Sequence, residues 1–439
     1  HNVGSGCCKT IAGGVATGGE GWTVRCAGPP SQGFSLTISA RVSLTRIQIQ
    51  THSVGLKERV YVLADPAGSG TRAWHCLTGL DDGSVLKNVA GGVEELFEAF
   101  ENNKHSPGQL TKDEILKLSG SIDLSGAPDW VRADIPEWIW PAFENNFSDS
   151  AIDEGNALTK RPPLDLRVNT LKSNVSDVIN ELKDKNIEKC AISPVGLRIA
   201  AARADGRLPN IQIEESYQTG AVEIQDEGSQ IVSLLVDAKP GETILDYCAG
   251  AGGKTLALAA DMQNQGTVFG FDIDKRRLSP LYQRAQRAGA NIIDIRQPPS
   301  ESLKDLVGKM DRVLVDAPCT GLGTWRRKPD SKWRLNEDGL ELRNNEQRSV
   351  LNSAKGFVRP GGLLFYVTCS MLAEENEAQV YDFIEKNDNF SLLSAGEVWE
   401  EKFGADAPKP WSADGCSLTL TPSSTNTDGF FFAVMERKK

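Results

Sequence analysis

The chain has 439 residues, 39% hydrophobic and 24% charged, with a net charge of −11. That length predicts two or three domains, and no apolar run reaches the roughly 18 residues a membrane-spanning helix needs. The excess of acid argues against a nucleic-acid partner on bulk charge, because phosphate contacts need Lys and Arg, but such a sum does not see a local basic patch.

Residues 1–92 are glycine-rich and show no amphipathic helical period. The chain begins at His1 and its first methionine is Met262. This stretch is therefore expected to be atypical: a loop-rich domain, a fragment or a shifted reading frame. Residues 93–162 read as a helical linker region. Val93-Glu-Glu-Leu-Phe-Glu-Ala-Phe100 has helical spacing, and Trp130, Trp138 and Trp140 stand among prolines as core aromatics. Residues 163–217 read as a small α+β, RNA-binding-type domain. Leu164-Asp-Leu-Arg-Val168 alternates as a strand, Val178, Ile179 and Leu182 stripe a helix, and Gly196-Leu-Arg-Ile-Ala200 forms another strand. From 218 to 439 strand, turn and helix repeat. Strands are expected at 243–246, 267–271, 312–315 and 362–367, with helices at 253–262, 275–288, 339–357 and 374–386. This is the pattern of an α/β, doubly wound parallel sheet. Ser412–Asp428 reads as a polar loop and Phe430–Val434 as a closing strand.

Nine irregularly spaced cysteines, an odd number, do not suit a secreted disulfide framework. No basic-then-apolar signal opens the chain. Free thiols in a reducing cytoplasm are expected. The four histidines are His1, His52, His75 and His105. A catalytic core beyond residue 105 therefore lacks imidazole, which disfavours Ser-His-Asp and Cys-His hydrolases and His-ligated metal sites.

The first strand of the repeat runs into Asp246-Tyr-Cys-Ala-Gly-Ala-Gly-Gly-Lys-Thr255. A glycine turn entering a helix cradles an anion or nucleotide. A Walker A loop fits Gly253-Lys254-Thr255 but needs glycine at Cys248, and a dinucleotide fingerprint needs glycine at Thr255. Neither pattern is complete. S-adenosylmethionine presents a zwitterion and a ribose but no phosphate, and Asp272, at the end of the next strand, suits ribose hydroxyls. A plain turn with a helix cap is the structural alternative.

Two cysteines follow two other apolar runs, in Asp316-Ala-Pro-Cys319 and Val367-Thr-Cys369. Ligands of open α/β sheets bind at the carboxyl ends of the strands, so two thiols there suggest chemistry that uses two sulfurs. C5 of a cytosine is not nucleophilic. A thiolate adding at C6 makes C5 enamine-like and able to attack a methyl sulfonium. Asp316, beside Cys319, is placed to address N3 of the base. Two buried structural cysteines are the bland alternative. Between them Trp325-Arg-Arg-Lys-Pro-Asp-Ser-Lys-Trp-Arg334 offers cations for phosphates and indoles for base stacking.

At Arg167–Lys172, Gln225–Gln230, Asp246–Thr255, Asp316–Gly323, Thr368–Ser370 and Glu374-Glu-Asn376 the chain resembles the Sun-type family of RNA cytosine-C5 methyltransferases, over about residues 93–439. The resemblance implies a Rossmann-like S-adenosylmethionine-dependent domain behind a small RNA-binding domain, acting on RNA, with ribosomal RNA expected, as a monomer and without a metal. It implies Cys369 as nucleophile, Cys319 as the group that assists product release and Asp316 as the cytosine contact. It implies Cys248, Ala249, Gly250, Ala251, Gly252, Gly253, Lys254, Asp272, Arg277 and Asp316 as the cofactor site, with Asp294 and Arg296 as candidates near adenine. A catalytically inactive RNA-binding module is the reading from a different class. A DNA cytosine methyltransferase is disfavoured because Thr320-Gly321 follows Pro318-Cys319.

Overall fold

A computed structural model describes residues 124–201 and 208–439, and the backbone of two further strands, Ser35–Ala40 (β1) and Ile47–His52 (β2). These two pair antiparallel as a ribbon. The rest of the atypical stretch 1–92 and the helix expected at 93–100 lie outside the described residues.

In the larger unit, Trp140–Phe147 (α1) and Ala151–Ala157 (α2) come first. Their apolar side chains, with Ile135, Ile139 and Leu158, pack on Leu322, Trp325, Met371 and Leu372. Those four residues follow the two cysteines closely in sequence. The stretch read as a linker thus forms a floor beneath both cysteine loops.

A four-stranded antiparallel sheet follows in the order β4-β5-β3-β6, from Leu164–Val168 (β3), Ile187–Lys189 (β4), Gly196–Ile199 (β5) and Val222–Ile224 (β6). Val175–Glu181 (α3) lies between β3 and β4. Asn174 caps it, its side-chain oxygen accepting from the Asp177 N–H at 3.0 Å. The alternation of β3 suggests one dry face and one wet face. In the fold Asp165 and Arg167 are buried as well. Arg198 meets Asp165 with two bonds of 2.7 Å, and Arg167 Nε donates to Gln225 Oε1 at 2.6 Å. Buried charge persists when it is paired in this way.

The catalytic sheet has eight strands. Its path is β12-β14-β11-β10-β7-β8-β9, with β13 added beside β14. The strands are Thr243–Asp246 (β7), Thr267–Phe271 (β8), Ile293–Arg296 (β9), Met310–Asp316 (β10), Val358–Thr368 (β11), Phe390–Leu392 (β12), Ser417–Leu420 (β13) and Phe430–Arg437 (β14). Strands β7 to β11 are parallel, and β14 closes antiparallel on β11. Both faces carry core. Ile244, Leu314 and Phe365 enter one cluster, while Leu245, Val313, Val315, Leu364 and Tyr366 enter the other. A parallel sheet covered on both sides needs runs that are apolar throughout, which is what these strands show. The helices include Glu227–Leu235 (α4), Gly253–Asp261 (α5), Pro280–Ala288 (α6), Glu337–Ala354 (α7), Glu377–Lys386 (α8) and Ala395–Phe403 (α9). The helix expected at 275–288 is two, divided at Ser279, with Pro280 opening the second. The polar loop expected at 412–428 contains strand β13.

Candidate active site

The chain runs β7, β8, β9 toward one edge, then returns to place β10 and β11 on the other side of β7. The strand order therefore reverses between β7 and β10, and ligands of open α/β sheets sit at that crevice. In register, Leu314 of β10 lies beside Asp246 of β7, and Asp316 beside Val367 of β11. The carboxyl ends of β11, β10, β7 and β8 thus line up Cys369, then Asp316 and Cys319, then the glycine loop, then Asp272.

The glycine loop turns sharply. Gly250 has φ +52° and Gly252 φ +85°, the left-handed region where a side chain is strained. A Cβ on Gly252 would also lie 2.1 Å from Leu281 Cδ1, so the buried Leu281 side chain of α6 would have to move aside. Gly253 and Lys254 then start α5. The Ala249 N–H donates to the Phe271 carbonyl at 2.8 Å, and the Ala251 carbonyl accepts from Arg284 at 2.7 Å. Asp272 is buried; its Oδ2 accepts from the Gly250 N–H at 3.0 Å, and Arg277 stands 3.7 Å away. Burial pushes the Cys248 thiol well above its ordinary range, which marks it as unreactive. Lys254 pairs with Asp316 at 2.6 Å and lies over the Phe430 ring.

Asp246 is fully buried, and burial raises its carboxyl to about 7. One oxygen accepts from Thr255 Oγ1 at 2.7 Å, and the other has no partner among the described residues. The first turn of α5 has no side-chain cap. An open helix N-terminus, an acceptor left over at the strand end and a buried carboxylate one strand away fit a zwitterionic amino acid joined to a ribose. Asp294 and Arg296 pair with each other at 3.1 Å. Arg296 also meets Asp305 and lies over Phe269, so both are engaged in holding the β9 edge.

The two cysteines come together. Their sulfurs are 3.3 Å apart, although 50 residues separate them in sequence. The hydrogen bond with Cys369 and burial push the Cys319 thiol well up. Two thiolates at that separation would repel strongly, which is a further reason for Cys319 to hold its proton. Backbone bonds join the loops: Gly323 N–H to the Cys369 carbonyl at 3.0 Å and Ala317 N–H to the Val367 carbonyl at 2.8 Å.

Part of the basic cluster 325–334, read as an RNA surface, is turned inward. Trp325 is buried in the core beneath the cysteine loops. Arg326 is buried between Asp428 (2.5 Å) and Asp226 (3.4 Å), and Arg327 pairs with the same two carboxylates. Lys332 is buried against Asp134. Trp333 alone of the two indoles is exposed. These cations neutralise internal carboxylates, and that work is structural. The sequence reading missed Gln347, which is buried and bonded to the Pro318 carbonyl at 3.0 Å. Nothing in its helical spacing sets it apart from an ordinary core position.

A glycine loop that lacks both phosphate signatures, with an acid after the next strand at the switch point, defines an S-adenosylmethionine-dependent methyltransferase. Comparison narrows the class. The family described as 16S rRNA methyltransferase RsmB/F matches residues 233–436, and the ferredoxin-like domain of that group matches residues 135–204. A Synechocystis protein named probable ribosomal RNA small subunit methyltransferase B is 31% identical over 396 residues, covering 88% of this chain and 82% of its own. A Bacillus subtilis protein of the same name is 30% identical over 308 residues, covering 69% of this chain and 66% of its own. The solved structure of a methyltransferase homologue from Pyrococcus horikoshii is 26% identical, covers 72% of this chain and all of its own, and superposes with a TM-score of 0.60. The chain belongs to the RsmB/F family of rRNA methyltransferases, enzymes that use S-adenosylmethionine. Among the described residues no helix is long and apolar enough to cross a membrane.

Proposed function

We propose that this protein methylates C5 of a cytosine in RNA, with ribosomal RNA as the substrate class, through a covalent cysteine adduct. The observation that carries the proposal is the pair of thiols 3.3 Å apart beside the Lys254–Asp316 pair and the glycine loop. A methyltransfer to oxygen or nitrogen needs no thiol, whereas transfer to C5 needs a nucleophile at C6 and a means of reversing its addition.

In this reading Cys369 adds as thiolate to C6, and the electron pair of the C5–C6 bond moves onto C5. S-adenosylmethionine supplies the electrophilic methyl group. C5 forms its bond to that carbon as the donor's sulfur–methyl bond breaks, its electron pair staying on the donor's sulfur; the C5 proton then passes to solvent water, and the pair it leaves restores the C5–C6 double bond and expels the Cys369 thiolate. Cys319, kept protonated by its neighbour and by burial, lies within reach of the sulfur that must leave and assists the release. Asp316 addresses the N3 edge of the base, and Lys254 holds its carboxylate in place. Asp272 suits the ribose hydroxyls of the donor. Residues 163–217 would serve as the RNA-binding domain.

The test uses labelled S-adenosylmethionine and unmodified ribosomal RNA with the intact protein and single Cys→Ala variants. Cys369→Ala is expected to be inert, and Cys319→Ala to accumulate a covalent protein–RNA adduct. Activity retained by Cys369→Ala, with Cys319→Ala inert and free of adduct, would reverse the two roles. Absence of methyl transfer by the intact protein to any RNA would favour a non-catalytic RNA-binding module.

A further inference from the structure

Glu375 is fully buried, and three neutral donors meet it. Oε1 accepts from the Thr320 N–H at 2.8 Å and from Gln347 Nε2 at 3.0 Å, and Oε2 accepts from the Thr320 hydroxyl at 2.5 Å. Gln347 Nε2 also reaches the Pro318 carbonyl. Residues 318 and 320, on either side of Cys319, are therefore both gripped through Glu375 and its partner. The next residue repeats the arrangement on the other loop. Asn376 Oδ1 accepts from the Thr368 hydroxyl at 2.6 Å, and its Nδ2 donates to the Ser370 carbonyl at 3.1 Å. These two residues flank Cys369. The dipeptide is itself tethered, because the Tyr366 hydroxyl donates to the Glu375 carbonyl at 2.6 Å.

We propose that Glu375 and Asn376 are a positioning pair: adjacent on one backbone, each holds one cysteine loop, and together they set the distance between the two sulfurs. Burying a carboxylate is costly unless hydrogen bonds compensate, and here every bond is directed at the Cys319 loop or its support. The inference rests on the two-cysteine reading above and assigns separate consequences to its two arms. Loss of Glu375 frees Cys319 and slows release. Loss of Asn376 frees Cys369 and slows attack.

The experiment measures adduct and methylated product together, in single and multiple turnover, on ribosomal RNA. Glu375→Ala is expected to complete a first methyl transfer but accumulate adduct, with multiple turnover slowed about tenfold or more, the loss that follows from removing hydrogen bonds to a charged group. Glu375→Gln, which keeps an acceptor for the Thr320 N–H, should recover part of that loss. Asn376→Ala is expected to form less adduct at every time point. Should Glu375→Ala fail to fold, Thr320→Val removes the 2.5 Å bond alone and should raise the adduct-to-product ratio in the same direction. An equal ratio in the Glu375 and Asn376 variants, or no adduct in Thr320→Val, overturns the positioning pair. Absence of adduct in Cys319→Ala overturns the parent reading and this one together, whereas adduct in Cys319→Ala without adduct in Glu375→Ala overturns only the positioning pair.

Discussion

Arg326→Ala separates the structural role of the 325–334 cluster from a role in RNA binding. Arg326 and Arg327 face Asp226 and Asp428, two charges of each sign, with contacts of 2.5, 2.8 and 3.4 Å. The side chains of Arg326, Asp226 and Asp428 are 3%, 7% and 3% exposed, so water cannot replace a lost partner. Burial already raises the Asp428 carboxyl. Deleting one guanidinium leaves a buried excess of negative charge, and breaking such a pair from one side costs about 3–5 kcal/mol. At roughly 2–4 °C per kcal/mol for a domain of this size, Tm should fall by roughly 6–20 °C. Thermal unfolding followed by circular dichroism measures this, and anisotropy of a labelled RNA measures binding across a salt series. A phosphate-binding Arg326 would behave oppositely: Tm would hold, and the slope of log K against log salt would shrink by about 1. That second outcome would refute the assignment of these arginines to the interior.

Other perturbations follow from the same geometry. Glu154 is buried, with one oxygen on the Thr421 hydroxyl at 2.9 Å and the other unpartnered among the described residues, and burial raises its carboxyl from 4.5 to about 7. The folded state then keeps a proton that the unfolded chain releases, so stability falls as pH rises through this window, by roughly 3 kcal/mol at most. Glu154→Gln should lessen the fall in stability between about pH 4.5 and pH 7, leaving the share that Asp246 and Asp261 carry; an unchanged slope would rule out Glu154 as one of its sources. Gly252→Ala forces a side chain into φ +85° and onto Leu281, and urea unfolding should show a loss of roughly 1–2 kcal/mol from that strain. Unchanged stability in that variant would show that the turn does not need glycine. Asn169→Ala removes bonds of 2.8 Å to both the Gly220 and Ala288 carbonyls, and urea unfolding should register a loss of about 1–3 kcal/mol.

The legible parts of this chain share a physical cause. The expected strands at 243–246 and 267–271 coincide with β7 and β8, because each is a short apolar run closed by polar or glycine residues. Strand β9, Ile293-Asp-Ile-Arg296, is an edge strand only half-buried along its length, and its pattern is too mixed to stand out. Strand β13 escaped notice inside a Ser/Thr-rich stretch. There the hydroxyls of Thr421, Ser424, Thr425 and Thr427 bond to one another and to the backbone, which lets polar residues lie buried. The cysteine loops were readable because strand ends and short motifs are local. The meaning of the Arg326–Arg327 pair was not, because Asp226 and Asp428 stand about a hundred residues away on either side and no periodicity reports them.

The same long-range logic explains why the short stretches Arg167–Lys172 and Gln225–Gln230 matter although neither reaches the sulfurs. Arg167 is buried, and burial lowers its guanidinium to about 10, still charged at neutral pH. It bonds to Gln225, whose amide lies against the position a Cβ on Gly253 would take. Glu223 of β6 receives Arg284 at 2.9 Å and Arg287 at 2.5 Å, and Arg284 continues to the Ala251 carbonyl in the glycine loop. Glu227 accepts from the Ile192 and Ser193 N–H groups at 2.7 and 2.9 Å. The four-stranded sheet is thereby bolted to the glycine loop by charged bonds that have little freedom to slide. The position of the glycine loop is therefore set in part by residues of β3 and β6 far from it in sequence, so Glu223→Gln should disturb that loop although it touches neither sulfur.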